Sequence, residues 1–200
     1  KGYVLSGTKR WITNGGIANF FTVFAKTESG EKDPKTGKPI EKVTAFMVEG
    51  PTEGVTVGPP EHKLGIRASW TNAVHFDNVK VSAENVLRGP GEGFKVAMGV
   101  LNHGRLGLAA GCVGTAKNAL KAAVEHANER IQFKKKIGEF GMIKEKIGRM
   151  MMNIYVAESM VYMTTALIDR GDIDYSLESS ASKIFASEMC WEAVDENVQV

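Results

Sequence analysis

Cysteine is nearly absent, with only Cys112 and Cys190 in 200 residues. Two thiols cannot build the disulfide framework of a small secreted scaffold, and their scarcity fits a reducing compartment. Histidine is also scarce: His62, His75, His103 and His126 are scattered, none at i, i+4 from another ligand type. No metal-ligand spacing and no Cys–His or Ser–His–Asp set can be assembled from them. Net charge is low, 25 Lys and Arg against 23 Asp and Glu, or +2. That balance argues against a nucleic-acid surface held by gross charge. No apolar run approaches the roughly 20 residues a membrane helix needs. No G-x-G-x-x-G follows a strand, which leaves a Rossmann dinucleotide site unsupported. Lys1-Gly2-Tyr3 carries no initiator Met or signal-peptide pattern, and Val198-Gln199-Val200 ends a helical run without a capping residue. The expectation is an internal piece of a longer protein, whose location the missing leader leaves open.

What is present is ordinary globular text, 43% apolar and 24% charged, and its period changes once. Residues 1–90 read as β. Tyr3-Val4-Leu5 and Lys9 to Ile12 flank Ser6-Gly7-Thr8, a short hairpin signal, and Asn14-Gly15-Gly16 is a stronger turn. Phe20 to Ala25, Val43 to Val48, Ala73 to Phe76 and Val79 to Val81 are rich in β-branched and aromatic residues and predict strands. Glu28 to Lys42, with Asp33-Pro34, Gly37 and Pro39, reads as a mobile surface excursion. Residues 91–200 read as helical. A first helix is expected from near Phe94 to Asn128. A second carries Ile143, Ile147, Met150, Met151, Ile154, Ala157 and Val161 along one face. Arg170-Gly171-Asp172 ends it, with Gly171 as C-cap, and Asp174 or Ser176 caps a third helix that runs to the end of the chain. The sum is an α+β chain, a β domain followed by antiparallel helices.

Four features stand out against bland alternatives. Gly104, Gly107, Gly111 and Gly114 recur in the first helix at a cost of about 1 kcal/mol each relative to Ala, which calls for close approach by another helix or a ligand. Arg105 stands alone beside them and needs a carboxylate or an anionic or polar ligand. Trp11 and Thr13, two residues apart, share a strand face; the pair suits a planar heteroaromatic ligand or plain strand packing. Arg130-Ile131-Gln132-Phe133, followed by Lys134, Lys135 and Lys136, is a basic loop, either a solvated charge run or a phosphate grip. Met150-Met151-Met152 reads as adaptable core filling.

Together these segments resemble the flavin-dependent acyl-CoA dehydrogenases. The resemblance rests on Gly7-x-Lys9-x-Trp11-Ile12-Thr13-Asn14-Gly15, Lys63-Leu64-Gly65-Ile66-Arg67 and Gly93-Phe94-Lys95-Val96-Ala97-Met98. Leu101-Asn102-His103-Gly104-Arg105 and Arg130-Ile131-Gln132-Phe133-x-x-x-Ile137 complete it, in family order across essentially the whole chain. The long loop before Val43 and the Phe94 to Met98 segment are most similar to the very-long-chain branch. The resemblance implies part of that family's middle β-barrel-like domain (1–90) followed by most of its C-terminal antiparallel helical bundle (91–200). It implies FAD as cofactor, contacted by Trp11, Ile12, Thr13, Arg130, Gln132, Phe133, Ile137, Phe140 and Gly141, with Arg130 on the pyrophosphate. Leu101, Asn102 and Arg105 would line the acyl-CoA site. The implied reaction is α,β-dehydrogenation of a long- or very-long-chain acyl-CoA, with electrons leaving to an electron-transferring flavoprotein. A homodimer or tetramer is implied for the full-length protein, mitochondrial in a eukaryote (inner membrane or matrix) and cytoplasmic otherwise. Any membrane association would come through segments outside these residues. No catalytic residue falls in the chain: some branches carry the base immediately before the arginine matching Arg105, where this chain has Gly104. Others place it in a Glu-Gly-Thr motif that would lie downstream of Val200. The piece alone is therefore expected to be inactive. A dehydrogenase-like assembly factor for respiratory complex I and an acyl-CoA oxidase are the alternatives.

Overall fold

The computed structural model describes residues 2–171 and 174–200. The chain divides into two compact units at 98/99, considered separately below.

The first unit contains β1 (Gly2–Thr13), β2 (Phe20–Lys32), β3 (Pro39–Glu49), β4 (Val55–Pro60) and β5 (Thr71–Ser82). They form a three-stranded sheet in the order β1-β5-β4 and a two-stranded sheet of β2 and β3, all antiparallel. Alternation drives the burial. On β5, Val74, Phe76, Val79 and Val81 turn inward, and on β2, Phe21 and Val23 do so. These side chains, with Leu5, Phe46 and Val48, make one core. Edge-to-face pairs join the two sheets within it, Tyr3 on Phe46 at 5.0 Å and Phe21 on Phe76 at 6.4 Å.

Several expectations change here. Ser6-Gly7-Thr8 does not turn a hairpin: β1 runs through it, paired along its length with β5, and a register shift between Leu5 and Gly7 absorbs the irregularity. Asn78 (φ 50°) forms the matching irregularity on β5, so Asp77-Asn78 is also interior to a strand. Glu28 to Lys42 is mostly ladder rather than excursion. Lys26–Glu41 and Lys42–Glu31 ion pairs extend the β2–β3 hairpin, and Asp33 closes its tip by accepting from the Lys35 and Thr36 amides. Strand β4 has no counterpart in the sequence reading, because Val55-Thr56-Val57-Gly58-Pro59-Pro60 carries the residues that mark turns. It is tolerated at a sheet edge, where missing donors cost nothing.

The second unit holds most of α1 (Gly93–Glu129), a two-rung hairpin of β6 (Ile131–Gln132) and β7 (Lys135–Lys136), α2 (Gly141–Arg170) and α3 (Ser176–Gln199). Its core is built on small residues: Ala109, Val113, Ala116, Ala119 and Ala123 from α1 meet Met150, Ile154 and Ala157 from α2 and Ala186, Met189 and Ala193 from α3. Steps of three and four keep each set on one stripe. Of the three consecutive methionines only Met150 is buried. Met151 and Met152 face solvent, because successive helical residues point about 100° apart and one core-facing stripe cannot take all three. Gly171 ends α2 in the left-handed conformation (φ 78°), its N–H donating to Ile168; Asp172 lies outside the described residues. Tyr175 is the N-cap position of α3, and Asp174 accepts from the Ser176 amide one step earlier.

Candidate functional site

The residues singled out for ligand chemistry fall in three places. The first is the end of β1. Between the rungs Lys9–Val74 and Ile12–Asn72, β1 spends two residues, Arg10 and Trp11, against one on β5. Trp11 takes φ 56°, an uncommon conformation for so bulky a side chain. The bulge resets the alternation, so the strand-face argument linking Trp11 to Thr13 does not hold. What results instead is an indole that is 71% exposed, an exposed Thr13, and an Ile12 half-buried against the β core. The turn beyond is tightly anchored: the Asn14 amide donates to Trp70 O at 2.7 Å and Gly15 to Ile12 O at 3.0 Å.

The second place is the connection between α1 and α2. Sequence suggested a basic loop; the structure has a hairpin whose two turn residues, Phe133 (φ 49°) and Lys134 (φ 68°), both take positive φ. A two-residue hairpin demands this, but Asn and Gly are the usual residues for it. A phenylalanine held there, 87% exposed, is a strained aromatic displayed to solvent, the kind of outlier that points to a site. Its ring meets Phe140 edge-on at 6.2 Å, and Lys135 Nζ lies 4.2 Å above the Phe140 ring. Gln132, Phe133, Ile137, Phe140 and Gly141 line one cavity of about 670 Å³ together with Met142, Ile143 and Lys146. Arg130 sits at the hairpin's base, where its carbonyl accepts from the Ile137 amide at 2.9 Å. Its exposed guanidinium has no ion pair among the described residues. Lys146 instead pairs with Glu196. Exposed aromatics beside an apolar cavity, with an exposed arginine at the base of the same hairpin, suit a ligand that is planar at one end and anionic elsewhere.

The third place is on α1. Arg105 Nη1 donates to Asn102 Oδ1 at 2.8 Å, so the lone cation finds an amide oxygen rather than a carboxylate. Ser179, fully buried on α3, donates to the Asn102 carbonyl at 2.6 Å and pins this stretch. Tyr175 reaches His103 next door, 2.9 Å from its Nδ1. Leu101 is exposed. Among the described residues nothing is packed against the glycine stripe: a Cβ at Gly104, Gly107, Gly111 or Gly114 would meet nothing within 4 Å.

Sequence reasoning missed Ser179, Lys146 and Asn72. A serine in a helix and a lysine on a polar face carry no local signal, and only folding brings them to their partners. Asn72 stood just before the expected strand Ala73 to Phe76, among polar and apolar residues alike, and only the folded sheet shows that its amide is buried and needs partners.

The pattern described as "Acyl-CoA dehydrogenase, C-terminal domain" matches residues 91–200, and "Acyl-CoA dehydrogenase, middle domain" matches residues 1–79. The chain belongs to the acyl-CoA dehydrogenase family. It is 52% identical over all 200 residues to the human protein named very long-chain specific acyl-CoA dehydrogenase, mitochondrial, of which it spans 30%. Among solved structures, butyryl-CoA dehydrogenase from Megasphaera elsdenii matches with a TM-score of 0.84 and 39% identity, over 99% of this chain and 50% of that one. An acyl-CoA dehydrogenase from Bacillus anthracis complexed with FAD matches with a TM-score of 0.82 and 36% identity, over 99% and 35%.

Proposed function

We propose that these residues belong to an FAD-dependent dehydrogenase acting on long- or very-long-chain acyl-CoA thioesters in fatty acid oxidation, mitochondrial if the source is a eukaryote. The observation that carries the reading is the gathering of Gln132, Phe133, Ile137, Phe140 and Gly141 on one cavity, with an unpaired Arg130 at its hairpin. The donor set fits the cofactor: apolar and aromatic surface for a ring system, and a guanidinium for a diphosphate. Bound FAD supplies a two-electron acceptor for the hydride that leaves the substrate β-carbon. Arg130 neutralises phosphate charge, and Phe133 and Phe140 present ring faces and edges to a planar group. Trp11 offers an exposed indole to a flavin ring, with Ile12 packed beneath and Thr13 offering a hydroxyl. Leu101, Asn102 and Arg105 line the thioester-bearing ligand, the last two as a hydrogen-bonded pair held by Ser179. No carboxylate pairs with Arg105 among the described residues, and the residue before it is Gly104. We place the base that takes the α-proton on a carboxylate downstream of these residues, since the position before Arg105 is Gly104. The full-length protein would hand the electrons on to an electron-transferring flavoprotein and would work as a homodimer or tetramer.

The test uses the full-length protein. It should purify with bound FAD, and palmitoyl-CoA should bleach the flavin anaerobically; in air, turnover should yield no peroxide. Colourless protein unable to bind FAD refutes the enzyme reading, and stoichiometric peroxide makes it an oxidase. Arg130→Ala should weaken FAD retention about tenfold or more, since a charge-assisted phosphate contact is lost; unchanged affinity removes Arg130 from the site.

A further inference from the structure

We propose that Asn72 is the positioning residue that holds the Trp11–Thr13 stretch in its flavin-facing conformation. The inference rests on the reading of that stretch as a flavin contact.

Strand β5 is central in its sheet, with β1 on one side and β4 on the other. Between Val74 and Asn72 it spends one residue, Ala73. Over the same step β1 spends two, Arg10 and Trp11, and β4 also spends two, Gly58 and Pro59. Both neighbours therefore bulge against the same point of β5. A bulge leaves ladder groups without strand partners, and two facing ones would leave this part of the sheet weakly specified.

Asn72 lies at that point. It is 1% exposed, and its backbone is paired with Ile12 on one side and Pro60 on the other. Its Nδ2 donates to the Gly58 carbonyl at 2.9 Å, inside the β4 bulge. Its Oδ1 accepts from the Gly16 amide at 2.9 Å, in the turn that follows β1. Only one orientation of the amide satisfies a carbonyl at one end and an N–H at the other, so the side chain has a single state. The turn residues are packed onto it: a Cβ at Gly15 would stand 3.3 Å from Asn72 Cβ, and one at Gly16 would stand 2.4 Å from the Trp70 ring. Residues 12 to 16 are thus held at three points: Asn72 pairs with Ile12 through its backbone and accepts from the Gly16 amide, and the Asn14 amide donates to Trp70 O. Trp11, at φ 56°, lies immediately before this held segment. No side chain with hydrophobic shape alone can satisfy both the Gly58 carbonyl and the Gly16 amide, and leaving either unmade inside the sheet carries the full desolvation penalty.

The experiment compares Asn72→Leu, Asn72→Asp and a core control, Val79→Ala, in the full-length protein carrying FAD. The readouts are the visible absorption band of the flavin and the FAD dissociation constant. Asn72→Leu removes both hydrogen bonds and should shift the band and weaken FAD binding about tenfold. Asn72→Asp keeps the acceptor for Gly16 but sets a carboxylate oxygen against the Gly58 carbonyl, and should move both readouts in the same direction. Val79→Ala should lower stability while leaving the band in place. The proposal is overturned if both Asn72 variants keep the wild-type band and affinity while Trp11→Ala changes them. If Trp11→Ala and Thr13→Ala also change nothing, the flavin reading of this stretch falls and takes the proposal with it. Should Asn72→Leu fail to fold, Asn72→Asp measured against Val79→Ala decides by the same criterion.

Discussion

One chemical change, glycine to alanine, should have opposite effects at two points of α1. Gly93 opens the helix and is buried against β3. A Cβ built there would lie 2.7 Å from Thr44 C, 2.8 Å from Ala45 N and 2.8 Å from Val43 O. Ordinary contact begins near 3.4 Å, so the overlap is about 0.6–0.7 Å with three backbone atoms that cannot rotate away. Nor can the segment lift easily. The Gly91 amide donates to Thr44 Oγ1 at 2.8 Å, and Leu87 donates to Ala45 O at 2.9 Å. Overpacking of this kind costs about 1–3 kcal/mol, only partly offset by the better helix propensity of alanine. At Gly107 a Cβ meets nothing within 4 Å, so Gly107→Ala should stabilise by up to about 1 kcal/mol. For units of about 100 residues, each kcal/mol moves the midpoint by roughly 4–8 °C. Thermal scans of the 200-residue chain should therefore show Gly93→Ala lowering the transition of the β unit and Gly107→Ala raising that of the helical unit. Urea titrations at unchanged m would confirm that stability alone has moved. If Gly93→Ala melts like the wild type, or Gly107→Ala is as destabilising as Gly93→Ala, the contact argument is wrong. Repeating Gly107→Ala in the full-length protein then asks what covers the glycine stripe there: a loss of acyl-CoA affinity without a loss of stability would place the ligand against it.

Two further outcomes follow from polar groups. Thr164 and Ser182, both buried, share a hydroxyl–hydroxyl bond at 3.1 Å between α2 and α3. Thr164→Val should cost about 1–3 kcal/mol by stranding the Ser182 hydroxyl. The double variant with Ser182→Ala should cost less than the sum of the single changes, as measured by denaturant midpoints. Asp33 and Asp174 have carboxyl pKa values below the usual range, chiefly because the backbone N–H groups of Lys35 and of Ser176 donate to them. A depressed folded pKa means stability that is present above the unfolded value and is lost as pH falls through the folded one. Acid titration should therefore show a loss beginning below about pH 4, and Asp33→Asn with Asp174→Asn should flatten it.

Local chemistry made a good part of the molecule legible. The period change near residue 91, the helical stripes through Ile154 and Ala157, and the αL cap at Gly171 are decided by neighbours a few residues away, where side-chain spacing and backbone preference act directly. The hairpin between α1 and α2 was legible as a basic segment with an aromatic, because composition alone marks it. Its positive-φ turn at Phe133 and Lys134 was not, since no local preference favours those residues there and the flanking structure imposes the turn.

What sequence determined, then, was which faces of each element are apolar and where the elements change. Only the tertiary structure decided which irregularities are turns and which are bulges. Gly7 and Asp77-Asn78 look like loops until β1 and β5 are laid side by side, because a ladder of backbone hydrogen bonds outweighs a local turn preference. The tertiary structure likewise turned Trp11 out of the sheet, set an amide at Asn72 between two bulges, and gathered Gln132, Phe133, Ile137 and Phe140 with Lys146 around one cavity. The first two depend on partners far apart along the chain, Ile12 and Gly16 with Asn72, and the third on a turn that no local preference favours, so a reading of composition and spacing cannot place these groups against one another.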